Sequence, residues 1–251
     1  MNRRYRAFGL HLLASATALT AVLGCLYLGW YRWPGWYLTG AAHVTLILMG
    51  IDVVLGPLLT LIVANPRKPR RELVRDIAVI VAVQLLALSY GTLTLWKGRP
   101  LFYTFSNDRL EMVQASDLSA QELALARQQN PGFVPRWYSR PRWVWAPLPN
   151  DKDEALKIMT GAIFGATDVI QMPRYYRPWD DAAPAITANL KKLDDQKPFT
   201  REEKRALRSR LLARGLAPDA PDTLVMWGKE RPLLAVFERD PVRLKALIRA
   251  D

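Results

Sequence analysis

Few residues of this chain have the type and spacing to do chemistry. The most conspicuous is Asp52, the single charged residue between Tyr37 and Val63. A carboxylate in such an apolar run opposes insertion into a bilayer by about 2.5–3.5 kcal/mol on insertion scales. It therefore calls for a partner, a proton or a watery cavity. Gly56-Pro57 follows four residues later, and a proline interrupts the helical ladder by removing an N–H, which should free the carbonyl of Val53. Gln84, in the next apolar run, has an amide able to reach across a helix–helix contact. Three readings stay open for these residues: a hydrogen bond between Gln84 and a protonated Asp52, a notch awaiting a cationic or polar group on another membrane helix, and a proton pathway.

Catalytic and metal constellations are otherwise missing from the sequence. The two histidines, His11 and His43, both lie in apolar runs, and no C-x-x-C, H-E-x-x-H or G-x-S-x-G occurs. A zinc site needs three or four ligands. Asp180-Asp181 and Asp194-Asp195 sit in polar stretches, where a solvated face is the simpler reading. The expectation is a protein that is not an enzyme and carries no cofactor or metal.

The elements that must hold Asp52 and Gln84 are apolar segments. No Asp, Glu, Lys or Arg occurs from Ala7 to Trp30 or from Ile77 to Trp96. Roughly 20 apolar residues cross a hydrocarbon core, so spans are predicted at about 7–30, 38–63 and 77–96. The predicted fold class is a membrane protein with three transmembrane α-helices, residues 1–98, followed by a mixed α+β periplasmic domain, residues 99–251.

The formal charge of +12 could suggest nucleic acid, but its distribution points elsewhere. Arg3, Arg4 and Arg6 precede the first span; Arg67, Lys68, Arg70, Arg71 and Arg75 fill the link before the third, whereas Arg32 stands alone between the first two. Basic short loops stay in the cytoplasm. The N-terminus is thus expected inside, the Tyr31–Thr39 loop outside, and everything after Trp96 in the periplasm of a bacterial inner-membrane protein. Trp30, Trp33, Trp36 and Trp96 fall at the predicted outer interface, where amphipathic rings settle. Nucleic acid is not an expected partner there; anionic lipid headgroups or an acidic protein fit better.

The single cysteine, Cys25, excludes an internal disulfide. Val22-Leu23-Gly24-Cys25 resembles a lipoprotein signal, yet the following residues stay apolar, and a packing cysteine is the plainer reading. Within the first span Ala14, Ala16, Ala18, Ala21 and Gly24 would let another helix approach closely. Asp76 is expected at the start of the third span, among unpaired N–H groups.

In the remainder, Leu101–Ala115 reads as a hairpin turning at Asn107-Asp108. Ser119–Gln129 and Asp151–Phe164 read as helices, and Phe133–Pro149 as extended chain. Thr200-Arg201-Glu202-Glu203 is a capping box opening a helix that stops at Gly215. Thr223–Trp227 and Leu233–Glu238 form a second hairpin, and a short helix is expected over Val242–Ala250. Lys204, Arg205, Arg208, Arg210 and Arg214 line one side of the capped helix, as a solvated face or a lipid or partner contact.

The block Asp52-Val53-Val54-Leu55-Gly56-Pro57-Leu58-Leu59-Thr60 and the Asn65-Pro66 stop resemble the type IV pilin accessory proteins of the TfpX/TfpZ family. Asp76, Gln84 through Gly91 (including Tyr90), Arg99-Pro100, Asp108-Arg109 and Glu111 through Leu118 extend the resemblance over roughly the first 120 residues. It implies an inner-membrane, chaperone-like helper that stabilises or presents a specific type IV pilin, major or minor, in contact with other pilus assembly proteins and membrane lipids. Asp52, Gly56, Pro57, Gln84, Tyr90 and Arg99 become the candidate partner-binding residues. A mature pilin of this type carries a free N-terminal amine and a glutamate in its apolar helix, either of which could meet Asp52. The competing readings are a membrane-anchored enzyme modifying a periplasmic substrate and a sensor; the latter lacks room for a cytoplasmic output domain.

Overall fold

The computed structural model describes residues 3–65 and 68–251. The expectations placed on Pro66 and Arg67 lie outside the described residues, as does the side chain of Arg3. The chain divides into two units: residues 1–32 with 40–98, and residues 33–39 with 99–251.

The first unit is helical. Helix α1 (Arg3–Leu26) continues into a wide turn at Tyr27–Tyr31. After α2 (Gly35–Thr39), which belongs to the other unit, α3 (Ala41–Met49) leads through a second wide turn, Gly50–Leu55, into α4 (Gly56–Val63). The long α5 (Arg70–Lys97) completes the unit. Three stretches, Arg4–Tyr31, Ala41–Val63 and Arg70–Lys97, are long and apolar enough to cross a membrane. Leu10, Leu13, Leu46, Ile47, Ile62, Leu85 and Leu86 remain exposed, the outward apolar surface that helices facing lipid require.

Close approach binds these helices. Tyr31 donates to the carbonyl of Leu95 at 2.7 Å, Trp30 meets Trp96 edge-on at 4.9 Å, and a Cβ on Gly91 would lie 2.5 Å from the Leu48 side chain. Arg4 donates to the carbonyl of Leu61 near the end of α4. Since α5 begins at Arg70, Asp76 is past its first turn and not among the unpaired N–H groups; it instead holds Lys68 at 2.7 Å.

The second unit is built on a seven-stranded mixed sheet. Its strands are β1 (Pro100–Ser106), β2 (Arg109–Gln114), β3 (Arg142–Trp145), β4 (Arg177–Pro178), β5 (Thr223–Trp227), β6 (Leu233–Arg239) and β7 (Val242–Ile248), in the order β4-β3-β1-β2-β5-β6-β7. β1–β3 and β2–β5 are parallel and the other pairs antiparallel. Helices α6 (Ala120–Gln129), α7 (Lys152–Ile163), α8 (Ala183–Asn189) and α9 (Arg201–Leu212) fill the connections.

Alternation along the strands supplies the cores. Tyr103, Phe105, Leu224, Met226, Leu233, Ala235 and Phe237 enter one cluster. Their neighbours Phe102 and Val113 enter a second, and Val225, Leu234 and Val236 a third. Burial on both faces explains why β5 and β6 read as continuous apolar runs.

Asn107 adopts a left-handed φ of 52° at the first hairpin turn, a conformation asparagine tolerates better than most residues. Thr200 and Glu203 form the expected reciprocal capping box, and Gly215, with φ 67°, follows the end of α9. The chain departs from expectation at Val242–Ala250, where β7 replaces the anticipated helix. Leu, Lys and Ala favour helix as isolated residues, but Val242-Arg243-Leu244-Lys245 alternates with period two, and its pairing with β6 decides the outcome.

Residues 33–39 are part of this second unit. Leu38 is fully buried in the first cluster, its carbonyl accepts from the Lys229 N–H at 2.7 Å, and a Cβ on Gly228 would lie 2.5 Å from that carbonyl oxygen. Tyr37 donates to Asp251 at 3.0 Å, and burial and this bond push its phenol up to about 12. Of the four interface tryptophans, Trp30 and Trp96 therefore stay with the helical unit, while Trp33 and Trp36 go to the other.

Candidate functional site

The wide turn at Gly50–Leu55 creates the site. Its cap, Gly56, donates its N–H to Ile51 O, five residues back, instead of four. In that register the next donor, to Asp52 O, would be the nitrogen of Pro57, which has no hydrogen. The freed carbonyl is thus that of Asp52, one residue before the Val53 expected from a regular helix. Gln84 of α5 supplies the missing donor: its Nε2 reaches Asp52 O at 3.0 Å.

Gly56 makes this reach feasible. A Cβ there would lie 2.0 Å from Gln84 Nε2, so glycine leaves the space the amide occupies. Gln84 Nε2 also contacts Ser15 Oγ at 3.5 Å, and its Oε1 accepts from His11 Nε2 at 2.7 Å. With that nitrogen donating, His11 Nδ1 accepts from the Thr60 hydroxyl. One amide thereby connects all three long helices.

Asp52 is 3% exposed, and its Oδ2 has no hydrogen-bond partner. It lines a cavity of about 170 Å³ with His11, Ala14, Ser15, Ala18 and Gln84. Burying a polar atom without a partner is unfavourable and marks a place where a donor could be received.

Of the candidate residues, the fold brings together Asp52, Gly56 and Gln84, with Pro57 shaping the turn. Tyr90, on α5, is 76% exposed and lies about 9 Å along the axis from Gln84. Arg99 is buried and belongs to the other unit. Sequence reasoning missed His11, Ser15 and Thr60. The signal was present: His11 and Ser15 are four apart in the first span, so they share a helix face.

The other candidate clusters have structural partners. Arg208 holds Asp194 and Asp219 at 3.0 and 2.7 Å, Lys204 donates to Asp194 O, and Arg210 to Arg249 O. The basic side of α9 is thus tied partly into its own unit, with Arg208's proton held more firmly by Asp219 and Asp194. The wider cavity of this unit, about 710 Å³, contains Glu122, already matched by Arg174 at 3.5 Å. Among the described residues no group of three or more His, Cys, Asp or Glu could hold a metal ion.

Fold and site together define a chain of three apolar helices, sharing an interhelical polar notch, joined to an α+β unit. No family model and no solved structure matches it. Its sequence is 34% identical over 118 residues to the fimbrial assembly protein of serogroup I from Dichelobacter nodosus, covering 47% of this chain and 46% of that protein. It is 33% identical over 118 residues to the fimbrial assembly protein of serogroups C1 and C2 from the same organism, covering 90% of that protein. The chain belongs to this family of fimbrial assembly proteins. It spans about half the length of the serogroup I and E1 relatives it matches.

Proposed function

We propose that the chain is a non-enzymatic accessory protein of type IV pilus assembly, of the TfpX/TfpZ kind, which stabilises or presents one pilin, major or minor, at the bacterial inner membrane. The observation that carries this reading is the fimbrial assembly kinship of a chain that offers both apolar helical surface and a folded polar unit. A pilin with an apolar helix and a globular head would require both. Asp52, Gly56, Pro57 and Gln84 would form the membrane part of the contact, with Tyr90 extending it along α5 and Arg99 positioning the start of β1. Other pilus assembly proteins and membrane lipids are the remaining partners.

The proposed orientation has the N-terminus and the link before α5 in the cytoplasm, and residues 33–39 and 99–251 in the periplasm. The basic bias of the loops supports it. So does the membership of residues 33–39 and 99–251 in one unit, since both must then occupy the same side.

The test is deletion of the gene. Loss of one pilin type from the membrane and the cell surface, with its transcript unchanged, is expected; normal pilin abundance and piliation overturns the reading.

A further inference from the structure

We infer that the cavity beside Asp52 receives a protonated amine carried by a second membrane-inserted helix, docked along the Ala14–Ala18 face of α1. The inference rests on the reading of this chain as one that holds a membrane-inserted partner, and it adds the chemistry of the group received.

Three observations lead there. First, Asp52 Oδ2 is buried without a hydrogen-bond partner, although the Gln84 side chain also reaches the Asp52 carboxyl. The Gln84 amide serves Asp52 O and Ser15 Oγ, His11 lies between Gln84 and Thr60, and Arg4 is bound to Leu61 O. Among the described residues no Lys or Arg lines the cavity.

Second, the rim is apolar. Ala14, Ala18, Val81 and Leu85 are exposed around the opening, so the cavity opens where an apolar chain, and not a water-borne solute, would lie against it. Third, Ala14 and Ala18 are four apart and present only methyl groups, which permits close backbone approach by another helix. A helix settled on that face could extend one short polar group into the cavity. An ammonium supplies both the missing donor and the opposite charge, which removes the penalty of leaving either ion alone in hydrocarbon.

The experiment uses the full chain in phosphatidylcholine nanodiscs and measures energy transfer to synthetic single-span Leu/Ala peptides. One peptide carries a central lysine, a second norleucine at that position and a third glutamate. The lysine peptide should associate about tenfold more tightly than the norleucine peptide, a modest preference in keeping with intramembrane polar contacts. Asp52→Asn, which keeps the shape, should erase that preference. Ala18→Phe, at an exposed position, should weaken lysine-peptide association by obstructing the face.

Equal association of the lysine and norleucine peptides overturns the inference, as does a preference that survives Asp52→Asn. Tightest association of the glutamate peptide would also overturn it, identifying Asp52 as a protonated donor. No pilin enters this assay, so its failure leaves the pilus reading to the deletion strain, and failure of the deletion test leaves this result intact.

Discussion

Gly56 and Gln84 occupy mutually exclusive space: a single methyl group on Gly56 would sit 2.0 Å from the Gln84 amide nitrogen. The helix containing Asp52 and the helix containing Gln84 are joined through the space that a glycine leaves empty. The notch therefore depends on Gly56 as much as on the residues that supply its polar groups.

Gly56→Ala should thus reproduce the effect of Gln84→Leu. Intramembrane hydrogen bonds average about 0.6 kcal/mol each, so losing the Asp52 O, His11 and Ser15 contacts should destabilise the helical unit by about 1–2 kcal/mol. The double variant should be little worse than either single one, because both remove the same interaction. Unfolding in mixed micelles measures this, and simple additivity of the two substitutions would show that the amide is not the shared element.

Leu38→Ala should destabilise the α+β unit although Leu38 follows the first span by only a few residues. It is fully buried, and truncation of a buried leucine costs about 2–5 kcal/mol. The readout is thermal unfolding of the full chain, followed by near-ultraviolet circular dichroism. Unchanged unfolding would mean that residues 33–39 are dispensable to that core.

Thiol labelling should place Trp33 and Arg140 on one side of the membrane and Lys68 on the other. In a Cys25→Ala background, Trp33→Cys and Arg140→Cys should react with a membrane-impermeant reagent from the periplasm, and Lys68→Cys should react only after lysis. Trp33 is half-exposed, so labelling there need not disturb the buried Leu38. Protection of Arg140→Cys in intact spheroplasts would reverse the proposed orientation.

Stability should fall in alkali. Burial, assisted by Asp251, raises Tyr37 from 10.0 to about 12, and burial, assisted by Glu154, raises Tyr175 to about 12. A phenol that holds its proton more tightly when folded contributes fully below pH 10, and that contribution is lost as the pH rises through about 12. Tyr37→Phe should flatten the stability profile between these values in denaturant titrations. An unaltered slope would show that Tyr37 titrates as an ordinary surface phenol.

Much of the fold can be read along the chain because the deciding signals are local. Apolar runs with at most one charge give the three long helices, the Thr200–Glu203 box starts α9, and Asn107 turns the first hairpin. Asp52, Gly56 and Gln84 are legible as candidates because a carboxylate, a Gly-Pro pair and an amide are rare in apolar runs. What escaped depends on partners distant in sequence. The Val242–Ile248 strand is decided by β6, the Asp52 carbonyl is freed by a wide turn that shifts the ladder by one residue, and the role of His11 emerges only when α1, α4 and α5 come together. Residues 33–39 look like a short interfacial link with two tryptophans; nothing near them announces that Leu38 is a core residue.

That placement of residues 33–39 also imposes an order on biosynthesis. A ribosome releases Tyr37 and Leu38 between the first two apolar helices, long before it reaches their mates: Asp251 lies 214 positions beyond Tyr37, and the Lys229 amide only somewhat nearer. During that interval Leu38 is an apolar side chain without its core partners, beside a carbonyl without the Lys229 donor. A chain interrupted before β6 would leave Leu38 short of those core partners. Residues 33–39 can thus join the core of their unit only after the distal strands have been made.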